Sequence, residues 1–215
     1  MCGIAGFISS NHQNDIDGLV SRMASTLQHR GPDDHGTWVD EQVGIALGHR
    51  RLSVLDLSPA GKQPMVSASG RWVIAYNGEV YNHLDLRRRL EAEQSDIGWR
   101  GHSDTETILA CIDAWGIEAT LKSSVGMFAF ALWDREKRVL VLARDRLGEK
   151  PLYHGWQGDT FLFGSELKAL QPHPSFKANV DRDALSLLLR HNCVPAPYSI
   201  YDGIYKLRPG HIVRI

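Results

Sequence analysis

Apolar and polar positions change period several times along this chain, and each change marks an element. After two residues, "GIAGFIS" alternates and carries small glycines, which predicts a strand whose backbone something approaches closely. "DIDGLVSRMASTLQHR" then sets Ile16, Leu19, Val20, Met23 and Leu27 on one face at helical spacing, until "RGPDDHG" breaks the pattern. Two short strands, "TWVD" and "VGIALGHR", precede a loop containing "SPAGKQP". "RWVIAY" predicts a strand ended by the turn "NGEVYNH", and "LDLRRRLEAE" a helix with Leu84, Leu86 and Leu90 as its apolar positions. Past the polar "QSDIGWRGH", Ser103 and Glu106 have capping-box spacing ahead of the helix "TILACIDAW", in which Cys111 reads as a small buried hydrophobe.

From Val125 the period returns to two. "VGMFAFALWD" and "RVLVLARD" form a hairpin across "REK", and "PLYHGW" and "TFLFGS" add two strands joined at Gln157 to Asp159. Strands, two helices and strands again argue for an α+β layered fold. After "QPHPSF", the helix "DALSLLLR" leads to "YKLRPGHIVRI", which reads as a strand with no partner or stop signal after it. The expectation is a main domain over residues 1–180 and an extension, 181–215, leading toward a further domain.

Composition changes this picture little. With 215 residues, 43% hydrophobic and 23% charged, the chain suits one large domain or two small ones. The net charge of -1 and a longest basic run of Arg87 to Arg89 argue against a nucleic-acid partner. No apolar run approaches the roughly 20 residues of a membrane helix, and no leader pattern is visible, so a cytoplasmic protein without a membrane partner is expected. Cys2, Cys111 and Cys193 are odd in number and lack paired spacing, which argues against a disulfide framework. His29, His49, His83 and His102 are scattered without ligand spacing, so no metal is expected.

The candidate chemistry starts at Cys2. A thiol attacks as thiolate, and an α-amino group, with a reference pKa of about 7.7–8.0, can serve as its base near neutrality. Removal of Met1 would therefore put nucleophile and base in one residue, although the position alone fits accident better. Asn77 and Gly78 in "YNGEVYN" offer a side-chain amide and an approachable N–H for an oxyanion, or simply a hairpin turn. Arg51 can grip a carboxylate or make a surface ion pair; Asp104 can accept from an ammonium or act as a first-turn acid. Arg30 reads equally as support for the nucleophile strand and as a turn residue.

"MCGIAGF", "RGPDDHG", "HRRLSVLDLSPAGKQPM", "YNGEVYNH", "GHSDTE", "GMFAFALWD", "LARDRLGEKPLY" and "FGSELKAL" occur in the order of the N-terminal glutaminase domain of glutamine-dependent asparagine synthetases, and from Cys2 to about Ile215 the chain resembles that family. The resemblance implies a class II glutamine amidotransferase of the N-terminal-nucleophile hydrolase fold, a four-layer αββα sandwich. It implies Cys2 as the nucleophile toward L-glutamine and Asn77 and Gly78 as the oxyanion hole. Arg51 and Asp104 would hold the head group, with Leu52, Ser53, Val54, Leu55 and Glu79 completing the pocket.

The resemblance further implies release of ammonia to an ATP-dependent synthetase domain in cis that amidates aspartate, with ATP and Mg confined to that domain and no cofactor here. That domain's Ser-Gly-Gly and Asp-Ser signature is absent, and "SPAGKQP" is not a P-loop. A sugar-acid acceptor, or a non-catalytic binding module if Met1 is retained, are the alternatives, and a homodimer is compatible with either.

Overall fold

The computed structural model describes residues 1–10, 15–54, 56, 58–94 and 97–215. In chain order the elements are β1 (Gly3–Ser9), α1 (Ile16–Ser25), β2 (Asp34–Asp40), β3 (Ile45–Arg51), β4 (Met65–Val66), β5 (Trp72–Val80), α2 (His83–Glu93), α3 (Asp104–Trp115) and α4 (Ile117–Ser123). There follow β6 (Gly126–Asp134), β7 (Val139–Arg144), β8 (Tyr153–Gln157), β9 (Thr160–Gly164), α5 (Arg182–His191), β10 (Ile204–Lys206) and β11 (Ile212–Arg214).

The strands pair into two antiparallel sheets, one ordered β10-β8-β9-β1-β3-β2 and the other β11-β7-β6-β5-β4. Strand alternation sorts their side chains into faces. Ile4, Ile45, Leu47, Phe161 and Phe163 of the first sheet meet Val73, Ala75, Ala129, Ala131, Trp133 and Leu142 of the second in one buried core. On the outer face of the first sheet, Ala5, Phe7, Ala46 and Leu162 pack on Leu19, Val20 and Met23 of α1 and on Leu27 just past it. The outer face of the second presents Ile74, Tyr76, Phe128, Phe130 and Leu132 to Leu86 and Leu90 of α2 and to Ile108, Leu109 and Ile112 of α3. The layers are therefore αββα.

The same alternation aims the chemistry. Cys2 continues the inward face of Ile4, His49 and Arg51 continue that of Ile45 and Leu47, and Asn77 continues that of Val73 and Ala75. Apolar core positions thus give way to polar ones at one end of the inter-sheet layer.

Several sequence expectations need correction. The strand expected to end at Tyr76 runs to Val80, with Asn77 and Gly78 paired to Ala129 and Phe128 rather than forming a turn. Glu79 and Val80 extend the ladder beyond them, and no positive φ is needed. α4 was not foreseen, Leu84 is exposed, and β2 begins within the segment read as a helix breaker. The terminal strand has a partner: β11 pairs with β7, and β10 pairs with β8. Only half of the capping box forms. Ser103 Oγ accepts from the Glu106 N–H, but the Glu106 carboxylate accepts from the Arg100 and Gly101 N–H groups instead. Cys111 is fully buried, as its helical context implied. Among the described residues, no helix is long and apolar enough to cross a membrane.

Candidate active site

A cavity of about 170 Å³ opens at the polar end of the inter-sheet layer, and Cys2 lines it. Cys2 precedes β1 and is half-buried, with its Sγ donating to the Leu52 carbonyl at 3.8 Å. Its own carbonyl accepts from Arg30 Nε at 2.9 Å, and the Arg30 guanidinium is anchored on Glu166 at 2.9 Å. Arg30 thus holds the Cys2 end of the strand. Burial pushes the Cys2 thiol up, while the positive charges of the chain's amino terminus and Arg51 pull it down. Met1 lines the cavity mouth beside it.

The wall opposite is β5. Asn77 is 1% exposed, and its Nδ2 has no hydrogen-bond partner among the described residues. A buried, unanswered donor costs stability unless something else answers it. Gly78 has no room for a side chain: a Cβ there would collide with the Met127 carbonyl and lie 2.6 Å from Phe128 Cα. Glu79 lines the cavity next to it.

Asp104, the first residue of α3, is 4% exposed. Its Oδ2 accepts from the Val80 N–H at 2.9 Å and the Tyr76 hydroxyl at 3.2 Å. Burial raises its carboxyl above the ordinary range in spite of these donors, and burial together with Asp104 holds the Tyr76 phenol protonated. Arg51 is buried at the end of β3, donating from Nη2 to the Asp56 carbonyl, with Gly61 packed against its guanidinium. His49, one turn of the pleat earlier, donates from Nε2 to the Tyr76 carbonyl at 2.8 Å. Burial lowers its pKa to about 4, so it bridges the two sheets as a neutral ring.

Of the residues singled out in the sequence, Cys2, Arg51, Leu52, Val54, Asn77, Gly78, Glu79 and Asp104 line this one cavity. Ser53 does not; its N–H instead donates to Asp33. Leu55 lies outside the described residues. Sequence reasoning missed Gln63, Tyr76, Met127 and Lys150, which also line the cavity. Gln63 accepts from the Tyr76 N–H at 2.7 Å, so it braces the strand that carries Asn77. Among the described residues there is no grouping of three or more His, Cys, Asp or Glu suited to a metal.

A thiol, an amide donor without a partner among the described residues, a buried arginine and a buried aspartate around one small cavity suit acyl transfer from an amino acid side chain. Residues 1–215 match the family model described as Glutamine amidotransferase domain, and the chain belongs to that family. Within it, the chain is related to asparagine synthetases. It is 41% identical over 220 residues to asparagine synthetase (glutamine-hydrolyzing) 3 of Bacillus subtilis, covering 98% of this chain and 34% of that protein. It is 36% identical over 225 residues to the putative asparagine synthetase (glutamine-hydrolyzing) 2 of Methanocaldococcus jannaschii, covering 96% and 42%. The chain therefore spans well under half the length of these relatives. Among solved structures, glutamine phosphoribosylpyrophosphate amidotransferase from B. subtilis aligns with a TM-score of 0.65 at 22% identity, over 79% of this chain and 43% of that one. That likeness establishes a shared α+β fold.

Proposed function

We propose that this chain hydrolyses the side-chain amide of L-glutamine through a γ-glutamyl thioester on Cys2. The observation that carries the reading is the buried Asn77 amide, without a partner among the described residues, on the cavity that Cys2 lines. With Met1 removed, the α-amino group of Cys2 takes the thiol proton and the thiolate attacks Cδ of glutamine. Asn77 Nδ2 and the Gly78 N–H answer the oxyanion. The C–N bond then breaks as the ammonium of Cys2 returns its proton to the departing ammonia. Water cleaves the thioester by the same route, releasing glutamate and regenerating the thiol.

Arg51 takes the substrate's α-carboxylate and Asp104 its α-ammonium, with Glu79, Leu52 and Val54 lining the pocket. An arriving ammonium favours the ionised form of Asp104, which burial alone disfavours.

The names of the relatives support aspartate as the acceptor of the ammonia, in an ATP- and Mg-dependent step on a further domain. No residue of this chain is assigned to nucleotide. Ser58 caps a 3-10 turn over Pro59–Gly61 whose glycine packs against Arg51, which is not a phosphate cradle.

The test uses protein whose intact mass shows loss of Met1. Glutamate release from glutamine is expected, and Cys2→Ala should abolish it. Absence of activity in folded, processed protein, or survival of activity in Cys2→Ala, overturns the reading. Protein that retains Met1 should be inactive, because its base is acylated.

A further inference from the structure

One wall of the cavity carries a charge that the acyl steps above do not use. Lys150 lines the same cavity as Cys2, Asn77 and Gly78 and is 6% exposed. Its ammonium has no hydrogen bond or ion pair among the described residues. Lysine is rarely this enclosed without a partner, and its Nζ, unlike Asn77 Nδ2, keeps some access to solvent. The ammonium is therefore open to a group held in the cavity.

The chain holds Lys150 there firmly. Asp145 is 1% exposed, and its carboxylate accepts from the backbone N–H groups of Phe128 at 3.2 Å, Leu147 at 3.0 Å, Glu149 at 3.0 Å and Lys150 at 3.1 Å. The Arg144 guanidinium donates to the carbonyls of Lys150 and Leu207, both at 2.7 Å, and to that of Gly148. This clamp accounts for most of the "DRLGEK" segment. Because Phe128 is the register partner of Gly78, it ties Lys150 to the side of the cavity formed by Asn77 and Gly78.

In the proposed reaction, that side is where negative charge appears, first as the oxyanion and finally as the new γ-carboxylate of glutamate. Resting on that glutaminase reading, we infer that Lys150 is a further substrate-contacting residue, whose ammonium receives the oxyanion and the product γ-carboxylate at the amide end of the site. Uncharged glutamine amide gains much less from it. Lys150 therefore assists turnover and product binding more than substrate capture.

The experiment compares steady-state glutamine hydrolysis, with glutamate as product inhibitor, in wild type, Lys150→Met and Lys150→Arg. Lys150→Met should lower kcat about tenfold and weaken glutamate inhibition about tenfold, as expected for one lost charge-assisted contact, with KM for glutamine within about twofold. Lys150→Arg should recover most of both. Unchanged kcat and glutamate inhibition in folded Lys150→Met overturns the inference, and so does a raised KM at constant kcat. Should Lys150→Met fail to fold, wild type labelled with [ε-15N]lysine decides. The ammonium resonance missing from Lys150→Arg must shift on adding glutamate, and no shift overturns the inference. Inactive, Met-processed wild type overturns the glutaminase reading as well, whereas active wild type beside an indifferent variant overturns only the role of Lys150.

Discussion

Asn77→Ala separates a donor kept for chemistry from one kept for structure. In a structural role, the amide would be bonded within the protein, and truncation would cost both stability and activity. Here its Nδ2 is buried and has no partner among the described residues, so truncation breaks none of the hydrogen bonds formed among them. Removing an unanswered buried donor returns about 1–3 kcal/mol, and the lost packing of a small amide offsets about 1–2 kcal/mol of it. The net change lies between about 1 kcal/mol against the variant and about 2 kcal/mol in its favour. For a chain of this size that is a Tm between about 4 °C below and about 8 °C above wild type. Activity should fall whichever way stability moves: loss of one oxyanion donor costs roughly 10²- to 10³-fold in kcat, about 2.7–4 kcal/mol of transition-state stabilisation. Glutamate release at saturating glutamine and thermal unfolding by circular dichroism, on one preparation of each protein, give both numbers. A variant retaining more than a tenth of wild-type turnover refutes the oxyanion role. A Tm lowered by more than about 6 °C refutes the claim that the amide is structurally unemployed.

Gly78→Ala should fail for a different reason, since the added Cβ meets the Met127 carbonyl and the Phe128 backbone, neither of which can yield without splaying β5 from β6. Overpacking of this kind costs about 3 kcal/mol, a Tm lower by about 6–12 °C, and an unchanged Tm would contradict the strand register. Stability should also fall on mild acidification, because burial holds His49 and His173 neutral, each with its pKa lowered from 6.5 to about 4. Between those values the unfolded chain binds more protons, so each histidine contributes up to about 3 kcal/mol that is fully present above pH 6.5 and lost as pH falls toward 4. Asp104, raised by burial, works in the opposite sense and subtracts a part. Urea midpoints at pH 7 and pH 4.5 measure the sum; the midpoint should fall, His173→Gln should flatten its share, and a pH-independent midpoint would contradict the buried neutral rings.

How much of this was legible in the sequence depended on whether the signal was local. The helical face of Ile16, Leu19, Val20 and Met23 and the two later hairpins were readable because period and turn chemistry sit within a few residues of one another. "NG" misled because its turn signal assumes a demand for positive φ, whereas Gly78 is required by the close approach of β6, some fifty residues away in sequence. Leu84 shows the reverse error: hydrophobic and at helical spacing, it lies on the solvent side of α2. Cys2, Arg51, Asn77 and Asp104 could be named because each sits in a short motif of recognisable chemistry. Lys150, Tyr76, Gln63 and Met127 could not, since what makes them part of the site is burial and sheet pairing, and no spacing along the chain encodes either.

The two halves of the proposed chemistry sit on different sheets, and this makes the core a determinant of the site. Cys2 leads into β1 of one sheet and Asn77 belongs to β5 of the other, so the distance between thiol and amide is set by how closely the sheets approach. Ala75, Ala129 and Ala131 keep the facing layer thin on one side, while Ile4, Ile45 and Leu47 fill it from the other. At the polar end, where no apolar packing remains to fix that spacing, His49 on β3 bonds the Tyr76 carbonyl, one residue before Asn77. The bond needs a neutral or protonated Nε2–H, and a charged ring beside Arg51 would push against it; burial removes that option by keeping the imidazole neutral well below physiological pH. A displacement of about 1 Å in such a site is worth roughly a hundredfold in rate, so a neutral inter-sheet hydrogen bond adjacent to the proposed oxyanion donor is as much a part of the proposed reaction geometry as the strand that carries the proposed nucleophile.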